Sequence, residues 1–246
     1  MTTLLLVRHN LALMRREPGP VISRLLQPLV LITLMRPLYV AALSRRTGTI
    51  QVVTGVQVMF SMLALSVVGT AILTERTWRT WDRIRATGAR PADMLVAKAV
   101  PAFAMLAVQQ TVVLGFGVIV FGMRVANAGL VAVAITCWVL ALLGIGGALG
   151  AWLRSQSELN VAYDIGGVLL SALGGALVPL ATLPGWAHAI APGSPGYWAM
   201  SALRSAVAGQ AAGTLRACGV LLAVAAVFAA IATRRISSGW PRSRFL

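Results

Sequence analysis

The residues of this chain that are best suited to polar chemistry lie together in one charged segment, residues 74–98, "TERTWRTWDRIRATGARPADMLVAK". The segment holds six of the 21 basic residues and three of the six acidic residues, and long apolar runs flank it on both sides. Trp78 and Trp81 are three residues apart, so a helix would carry both indoles on one face, as interfacial anchors do. Mixed charge on a rigid projection suits docking to another protein. Membrane anchoring and partner docking both remain open on these residues alone.

Local signals divide the charged segment into two short helices. Asp82 lies three residues from both Arg79 and Arg85, a spacing that allows ion pairs within one helix. Gly88 ends the first helix, and Pro91 fits the first turn of the second because that turn leaves its N–H groups unpaired anyway. Residues 74–98 are therefore predicted to form a polar helical elbow outside the membrane.

The composition places the rest of the chain in lipid. Apolar residues make up 58% of the 246 residues, mean hydropathy is +0.83 and only 11% of residues are charged. A soluble domain has about a quarter of its residues charged. Because a membrane-spanning helix needs about 20 apolar residues, the long apolar runs predict an all-helical integral membrane protein.

Six spans fit the chain, which we interpret as a single transmembrane domain over residues 1–246. The predicted spans are residues 21–43, 54–73, 99–121, 129–152, 162–181 and 217–233. The elbow follows the second span. Residues 1–20 place apolar side chains on one stripe and predict a helix lying in the membrane interface, although they could also be the polar start of the first span.

Charge asymmetry predicts the orientation. With six spans, the N-terminus, the elbow, the loop at Arg154 and the tail at residues 234–246 share one side, which carries fifteen basic residues. The other side carries five: Arg45, Arg46, Arg124, Arg204 and Arg216. The positive-inside rule puts the richer side in the cytoplasm. We therefore expect a multi-pass protein of the bacterial cytoplasmic membrane with both termini cytoplasmic.

Two charged residues fall within predicted spans. Arg36 lies about 18 Å along the helix from Arg24 at 1.5 Å per residue, toward the outer part of the first span. It is a candidate functional residue, although snorkelling to the outer headgroups is the favoured interpretation. Asp164 is near the cytoplasmic end of the fifth span, where pairing with an arginine is favoured over a place in a substrate path.

Glycines recur where spanning helices would have to touch. Gly146 and Gly150 have GxxxG spacing in the fourth span, and the fifth span holds Gly166, Gly167 and the pair at residues 174–175. Small residues let helix backbones approach closely in membranes, so close packing explains these positions without a ligand.

The sequence disfavours catalysis, metal binding and nucleic-acid binding. His9 and His188, the two histidines, would lie on opposite sides of the membrane, so no paired-histidine metal site is expected. Cys137 and Cys218 sit in apolar runs and are expected to be free, buried thiols. The net charge of +15 is explained by arginines held at anionic lipid. We expect membrane lipid as a partner, no nucleic acid, no metal site and no catalytic residue.

The charged segment resembles the cytoplasmic elbow of the type-2 ABC exporter permeases, whose pattern reads approximately E-R-E-x-G-T-L-E-R-L-R-A-T-P. The aligned stretch of this chain, residues 75–88, reads "ERTWRTWDRIRATG". The identical positions are Glu75, Arg76, Thr80, Arg83, Arg85, Ala86 and Thr87. Asp82 replaces a glutamate and Ile84 a leucine. Arg79 stands where the family usually has glycine, and Gly88 replaces the usual proline.

A second region, "VPLATLPGWAHAIAPGSPGYWAMSALRSAVAG" at residues 178–209, is similar to the outer segment of the same family. The matching residues are Pro179, Leu183, Pro184, Trp186, Ile190, Pro195, Tyr197, Ala202, Leu203, Arg204 and Gly209. Proline and glycine break this stretch too often for one spanning helix, so residues 182–216 are expected to form re-entrant helices before the sixth span. Short length and arginine-rich composition further resemble the daunorubicin-resistance-type subgroup.

The resemblance implies a permease subunit that is energised by a separate ATPase. A P-loop reads G-x-x-x-x-G-K-[ST], and the chain's one lysine, Lys98, follows no such glycine-rich sequence. ATP and Mg²⁺ are therefore expected on ABC ATPase subunits, two per complex, and no cofactor is expected on this chain. A second permease copy or a paralogous permease would complete the complex.

The resemblance also implies roles for eight residues of the elbow. Four polar residues would contact the ATPase: Arg79, Asp82, Arg83 and Arg85. Trp78 and Trp81 would hold the elbow against the bilayer. Glu75 and Arg76, at the junction with the second span, would pass its movement to the helices.

The expected substrate is a lipophilic small molecule such as a drug, an antibiotic or a lipid-like metabolite. A path lined by Leu, Val, Met and Gly suits such a compound, and the short outer loops hold no domain for a protein or a long glycan. Export of a lipid-linked glycan is one alternative. A non-transporting membrane scaffold or regulatory subunit is another.

Overall fold

The computed structural model of the chain describes residues 18–63, 65–77 and 91–237, and within these ranges the regular secondary structure is helical, with no strand. The predicted interfacial helix lies almost wholly outside the described residues. Residues 78–90 of the elbow and the tail from residue 238 onward lie outside them as well.

Nine α-helices are described, and two short 3-10 helices lie between them. Their bounds are α1 Pro18–Ala42, α2 Arg45–Leu63, α3 Ser66–Thr77, α4 Pro91–Phe121, α5 Ala128–Trp152, α6 Gln156–Leu173, α7 Gly185–Ile190, α8 Pro195–Val207 and α9 Ala211–Ser237. The 3-10 helices are Leu180–Thr182 and Ala191–Gly193.

Within the described ranges, five helical stretches are long and apolar enough to cross a membrane. They are Ile22–Ala42, Arg45–Thr74, Lys98–Phe121, Ala128–Trp152 and Ala211–Ile236. The protein is therefore a multi-pass membrane protein, and five of the six predicted spans correspond to these stretches.

The second span begins at Arg45, nine residues before the predicted start at residue 54. Its first turns are polar, but their hydroxyl groups are satisfied within the helix. Thr49 Oγ1 donates to the Arg45 carbonyl at 2.7 Å, and Thr54 Oγ1 donates to the Ile50 carbonyl at 2.7 Å. Back-bonding of this kind lets threonine continue a helix that its hydropathy does not predict.

The predicted fifth span, residues 162–181, differs most from the structure. Helix α6 starts earlier, at Gln156, where the Ser155 hydroxyl accepts a hydrogen bond from the Glu158 N–H at 3.1 Å and the Glu158 carboxylate accepts one from the Arg154 N–H at 2.8 Å. The two hydrogen bonds together cap the first turn and specify the start of the helix. The predicted end at residue 181 is wrong, because α6 ends at Leu173 and Gly175 adopts a φ of 79°.

Helix α5 lies at the centre of the bundle. It makes its most extensive contact with α9 and also packs on α3, α4 and α8. Trp138 and Leu142 of α5 are fully buried. A Cβ at Gly144 would lie 2.8 Å from the Ala225 carbonyl oxygen, so only glycine permits this approach of α5 to α9. Cys137 and Cys218 are free and buried on these two helices, which confirms that prediction.

Candidate functional site

Both ends of the predicted elbow, residues 74–77 and 91–98, belong to described helices, and residues 78–90 between them lie outside the described part of the chain. Helix α3 ends at Thr77 and α4 begins at Pro91, so proline occupies the first helical position as predicted. Glu75 and Arg76 belong to α3. The other predicted coupling residues lie outside the described part of the chain: Trp78, Arg79, Trp81, Asp82, Arg83, Arg85 and Gly88.

Helix α3 is fixed to α5 by glycine contacts. A Cβ at Gly150 would lie 2.6 Å from the carbonyl oxygen of Gly69, and a Cβ at Gly146 would lie 3.1 Å from the carbonyl oxygen of Leu65. The helix backbones therefore touch. The predicted packing role of Gly146 and Gly150 is confirmed.

Helix α3 is also fixed to α6. The Tyr163 hydroxyl lies where a Cβ at Gly69 would be, so no larger residue fits there. At the start of α6, Gln156 Nε2 donates a hydrogen bond to Thr70 Oγ1 at 3.1 Å. Helices α5 and α6 therefore both pack directly against α3.

Arg24 of α1 joins the same group of helices. Its guanidinium donates to Ser66 Oγ at 3.5 Å, at the start of α3, and its carbonyl accepts a hydrogen bond from Gln109 Nε2 of α4 at 3.3 Å. The helix before the elbow and the helix after it are therefore both tied to α1.

Four glutamines inside the spans were missed by the sequence analysis. Gln51 and Gln57 of α2 and Gln109 and Gln110 of α4 are each at most 3% exposed. For Gln57 and Gln110 neither amide atom has a hydrogen-bond partner among the described residues. Buried amides without partners are costly and need an explanation. Glutamine within an otherwise apolar run is the signal that could have identified them.

The outer segment is divided into short helices, and its predicted residues fall at their ends. Pro184 precedes α7, Trp186 in α7 is 65% exposed, and Pro195 opens α8 after the capping residue Ser194. Pro179 precedes the first 3-10 helix. The Tyr197 and Trp198 rings meet edge to face with centroids 5.2 Å apart.

The outer segment packs against the end of α6. Ser194 Oγ donates to the Leu170 carbonyl at 2.5 Å, and a Cβ at Gly174 would lie 2.5 Å from the backbone of Gly196. Gly174 therefore has the close contact that the sequence predicted, whereas Gly166 has open space around it and the prediction is wrong there. Arg204 in α8 is half-buried, and burial lowers the pKa of its guanidinium.

The two charges predicted inside spans have different environments. Arg36 Nε donates to Thr49 Oγ1 at 3.2 Å, and its guanidinium carbon lies 4.7 Å from the centroid of the Phe121 ring. Arg36 therefore joins α1, α2 and α4. Asp164 is exposed, and the predicted pairing with an arginine is not seen among the residues that the structure describes.

An apolar cavity of about 410 Å³ lies between α3, α4, α5 and α9 and is open to the surface, where Val96, Leu140 and Leu222 are exposed. Its lining includes Val68, Val96, Leu140, Leu143, Leu222 and Ala225. The volume falls within the range of about 300–1,000 Å³ that is usual for small-molecule sites. Because the lining is aliphatic, the cavity suits an apolar ligand. Across the described ranges, no group of three or more His, Cys, Asp or Glu residues is placed to hold a metal ion.

Comparison with known proteins agrees with this architecture. A family model described as "ABC-2 type transporter" matches residues 2–207. The Linearmycin resistance permease protein LnrN of Bacillus subtilis (strain 168) is 27% identical over 175 residues, which are 70% of this chain and 46% of that relative. The chain thus spans about half the length of the curated relative that it matches. ABC-2 permeases are transmembrane subunits that are not themselves catalytic and work with an ABC ATPase. The chain belongs to the ABC-2 type transporter family.

Proposed function

We propose that this protein is the permease subunit of an ATP-driven exporter that moves a lipophilic small molecule out across the bacterial cytoplasmic membrane. The match of residues 2–207 to the ABC-2 type transporter family is the observation that carries the proposal. The aliphatic cavity between α3, α4, α5 and α9 supports an apolar substrate. A relative named as a resistance permease supports outward transport of a harmful compound.

In the proposed topology, α6 is a sixth span and both termini face the cytoplasm. The asymmetry of fifteen basic residues against five supports this orientation. Helix α6 has 18 residues, or about 27 Å at 1.5 Å per residue, which is close to the thickness of a bilayer core.

Residues 74–98 would form the docking element for the ATPase, with Arg79, Asp82, Arg83 and Arg85 as its polar contacts. The packing of α3 supports a route for the motion. Helix α3 contacts α5 at Gly69 and Gly150, and it contacts α6 at Tyr163. Movement of the elbow would therefore be passed to both helices. Two ATPase subunits closing on ATP and Mg²⁺ would move two elbows together.

A second permease, identical or paralogous, would complete the substrate path. Apolar side chains on the outer faces of α1 and α4 are available for lipid or for such a partner, since Leu34, Leu38 and Ile119 are 65%, 63% and 84% exposed. Large exposed apolar surfaces mark membrane or protein contacts.

The deciding experiment is a coupled assay of the permease reconstituted with its ATPase. The double variant Asp82→Arg/Arg83→Asp keeps the net charge, and we expect it to insert normally but to lose both permease-stimulated ATP hydrolysis and transport. The matched control Asp82→Glu/Arg83→Lys preserves each charge and should retain most of the coupling. Wild-type ATP hydrolysis and transport in Asp82→Arg/Arg83→Asp would show that these two residues do not dock the ATPase.

Copurification separates a transporter from a scaffold. We expect a transport subunit to copurify with an ATPase and to raise its rate of ATP hydrolysis. Lipophilic compounds should raise that rate further. An ATPase that binds the permease without any change in hydrolysis, with or without such compounds, would favour the scaffold function.

A further inference from the structure

A second cavity, also about 410 Å³, lies where the start of α2 meets the end of α4 and the α4–α5 connection, at the end of α4 remote from the elbow. Its lining is Arg45, Arg46, Thr49, Ile50, Phe121, Gly122, Met123 and Arg124. Three arginines, two from the first turn of α2 and one from the connection between α4 and α5, therefore line one space. The lining of this cavity is rich in basic residues, whereas the lining of the cavity between α3, α4, α5 and α9 is aliphatic.

A fourth arginine stands directly behind the lining. Arg36 contacts two of the lining residues, through the hydrogen bond to Thr49 Oγ1 at 3.2 Å and the approach to the Phe121 ring at 4.7 Å. Thr49 is itself 3% exposed and is held by the Arg45 carbonyl at 2.7 Å. These contacts hold Thr49 and Phe121 in place in the wall of the cavity.

Among the described residues, no Asp or Glu lies in the segments that form this cavity. The sequence has no Asp or Glu between residues 18 and 74 or between residues 94 and 157. Asp93 is in the first turn of α4, at the end of that helix remote from Phe121, and Glu158 follows the far end of α5. Four like charges around one cavity repel one another unless an anion lies among them.

The start of α2 adds to the excess of positive charge at this cavity. Arg45 and Arg46 occupy its first turn, which has no acidic residue. The positive end of the helix dipole lies there, so anions are favoured and cations disfavoured at that position. An anion in the cavity would compensate both the dipole and the guanidinium groups.

We propose that this arginine-lined cavity binds a phosphate group. The planar guanidinium fork matches phosphate oxygens with paired hydrogen bonds, and three exposed arginines are among the residues that line the space. Two sources share this chemistry, namely the headgroup of an anionic phospholipid in the adjoining leaflet and a soluble phosphate compound. The site does not depend on the direction of transport or on the identity of the ATPase.

Binding is tested on the purified full-length permease in detergent with two probes. Fluorescently labelled phosphatidylglycerol reports on the lipid source, with a diacylglycerol of the same chains as the phosphate-free control. Inorganic pyrophosphate, measured by calorimetry and by competition with the labelled lipid, reports on the soluble source.

The key variant is Arg45→Gln/Arg124→Gln, and the matched control is Arg154→Gln/Arg216→Gln, which removes two exposed arginines elsewhere. We expect the first to weaken binding of the phosphate probe at least tenfold and the control to change it less than twofold. The single variant Arg124→Gln, in the connection after α4, gives the same test with a smaller expected effect if the double variant does not fold.

Each result decides the proposal. Saturable binding of phosphatidylglycerol without displacement by pyrophosphate supports a lipid headgroup, and displacement by pyrophosphate supports a soluble phosphate. Equal affinity of wild type and Arg45→Gln/Arg124→Gln for both probes would overturn the proposal. So would equal binding of diacylglycerol and phosphatidylglycerol, or equal loss of binding in the two double variants.

Discussion

The indole N–H of Trp138 donates a hydrogen bond to the Ser61 hydroxyl at 2.8 Å, and both residues are fully buried. The bond joins α5 at the centre of the bundle to α2. Ser61 in turn donates to the Val58 carbonyl at 2.8 Å, so its hydroxyl group is used as donor and acceptor. A polar contact of this kind sets how the two helices face each other, which apolar packing alone specifies less sharply.

We expect a measurable coupling between Trp138 and Ser61. Trp138→Phe removes the donor and Ser61→Ala the acceptor, and the double variant completes a thermodynamic cycle. Hydrogen bonds between membrane helices average about 0.6 kcal/mol and reach about 1.7 kcal/mol, so the coupling should lie in that range.

The measurement is unfolding of the purified permease in detergent. Trp152→Phe is the control for the loss of an indole, because Trp152 is 65% exposed and should cost little. Strictly additive effects of Trp138→Phe and Ser61→Ala would show that the hydrogen bond contributes no stability.

A second prediction concerns the contact between α3 and α5. In Gly150→Ala, the new methyl group would lie 2.6 Å from the Gly69 carbonyl oxygen and force the helices apart. Overpacking costs about 1–3 kcal/mol, so the thermal midpoint should fall. Gly115→Ala in α4 is the control, since nothing lies within 4 Å of a Cβ at Gly115. Equal midpoints for the two variants would contradict the contact.

The contrast between Gly150 and Gly69 illustrates what the sequence can predict. Gly146 and Gly150 form a local pattern, and their role in close packing was predicted and is confirmed. Their partner Gly69 lies on another helix and has no local signal, because the contact depends on how α3 and α5 cross. The pattern identifies a contact face but not the residues that it meets.

The same limit applies to the charged residues. The sequence predicts which side of the membrane Arg45, Arg46 and Arg124 occupy, because side follows from counting charges between spans. Their convergence on one cavity depends on the start of α2 lying next to the α4–α5 connection, which is distant from it in sequence. The start of helix α6 was predicted too late for a different reason. Glu158 and Asn160 lower the hydropathy of its first turns, and the start is set by a helix cap, which hydropathy does not reveal.

The third prediction concerns Arg36, for which snorkelling to the headgroups was the favoured interpretation. Arg36→Lys keeps the charge but removes the planar group that lies over Phe121 and bonds Thr49. A partly exposed cation–π contact is worth about 0.5–1 kcal/mol, so the thermal midpoint should fall slightly. Arg216→Lys, at an exposed position of α9, is the control. No difference between the variants would favour snorkelling.

The fourth prediction concerns the buried amides of Gln57 and Gln110. Both amide atoms of each residue lack partners among the described residues, whereas Gln51 Nε2 donates to the Gly175 carbonyl at 2.9 Å. An unsatisfied buried polar group costs about 1–3 kcal/mol. Gln57→Leu and Gln110→Leu should therefore leave the stability unchanged or raise it. Gln51→Leu removes the donor to the Gly175 carbonyl together with an unpaired Oε1, so its stability should lie below that of Gln57→Leu.

A buried polar side chain that lowers the stability of one conformation is typical of a position that has a function in another conformation. We therefore expect Gln57→Leu and Gln110→Leu to reduce transport in the reconstituted complex while the thermal midpoint is kept or raised, because the amides would bond one another or the substrate once α2 and α4 shift. Transport is followed together with the midpoint for each variant. A strong drop in stability would mean that these amides are already paired in the resting protein, and wild-type transport would mean that the cycle does not use them.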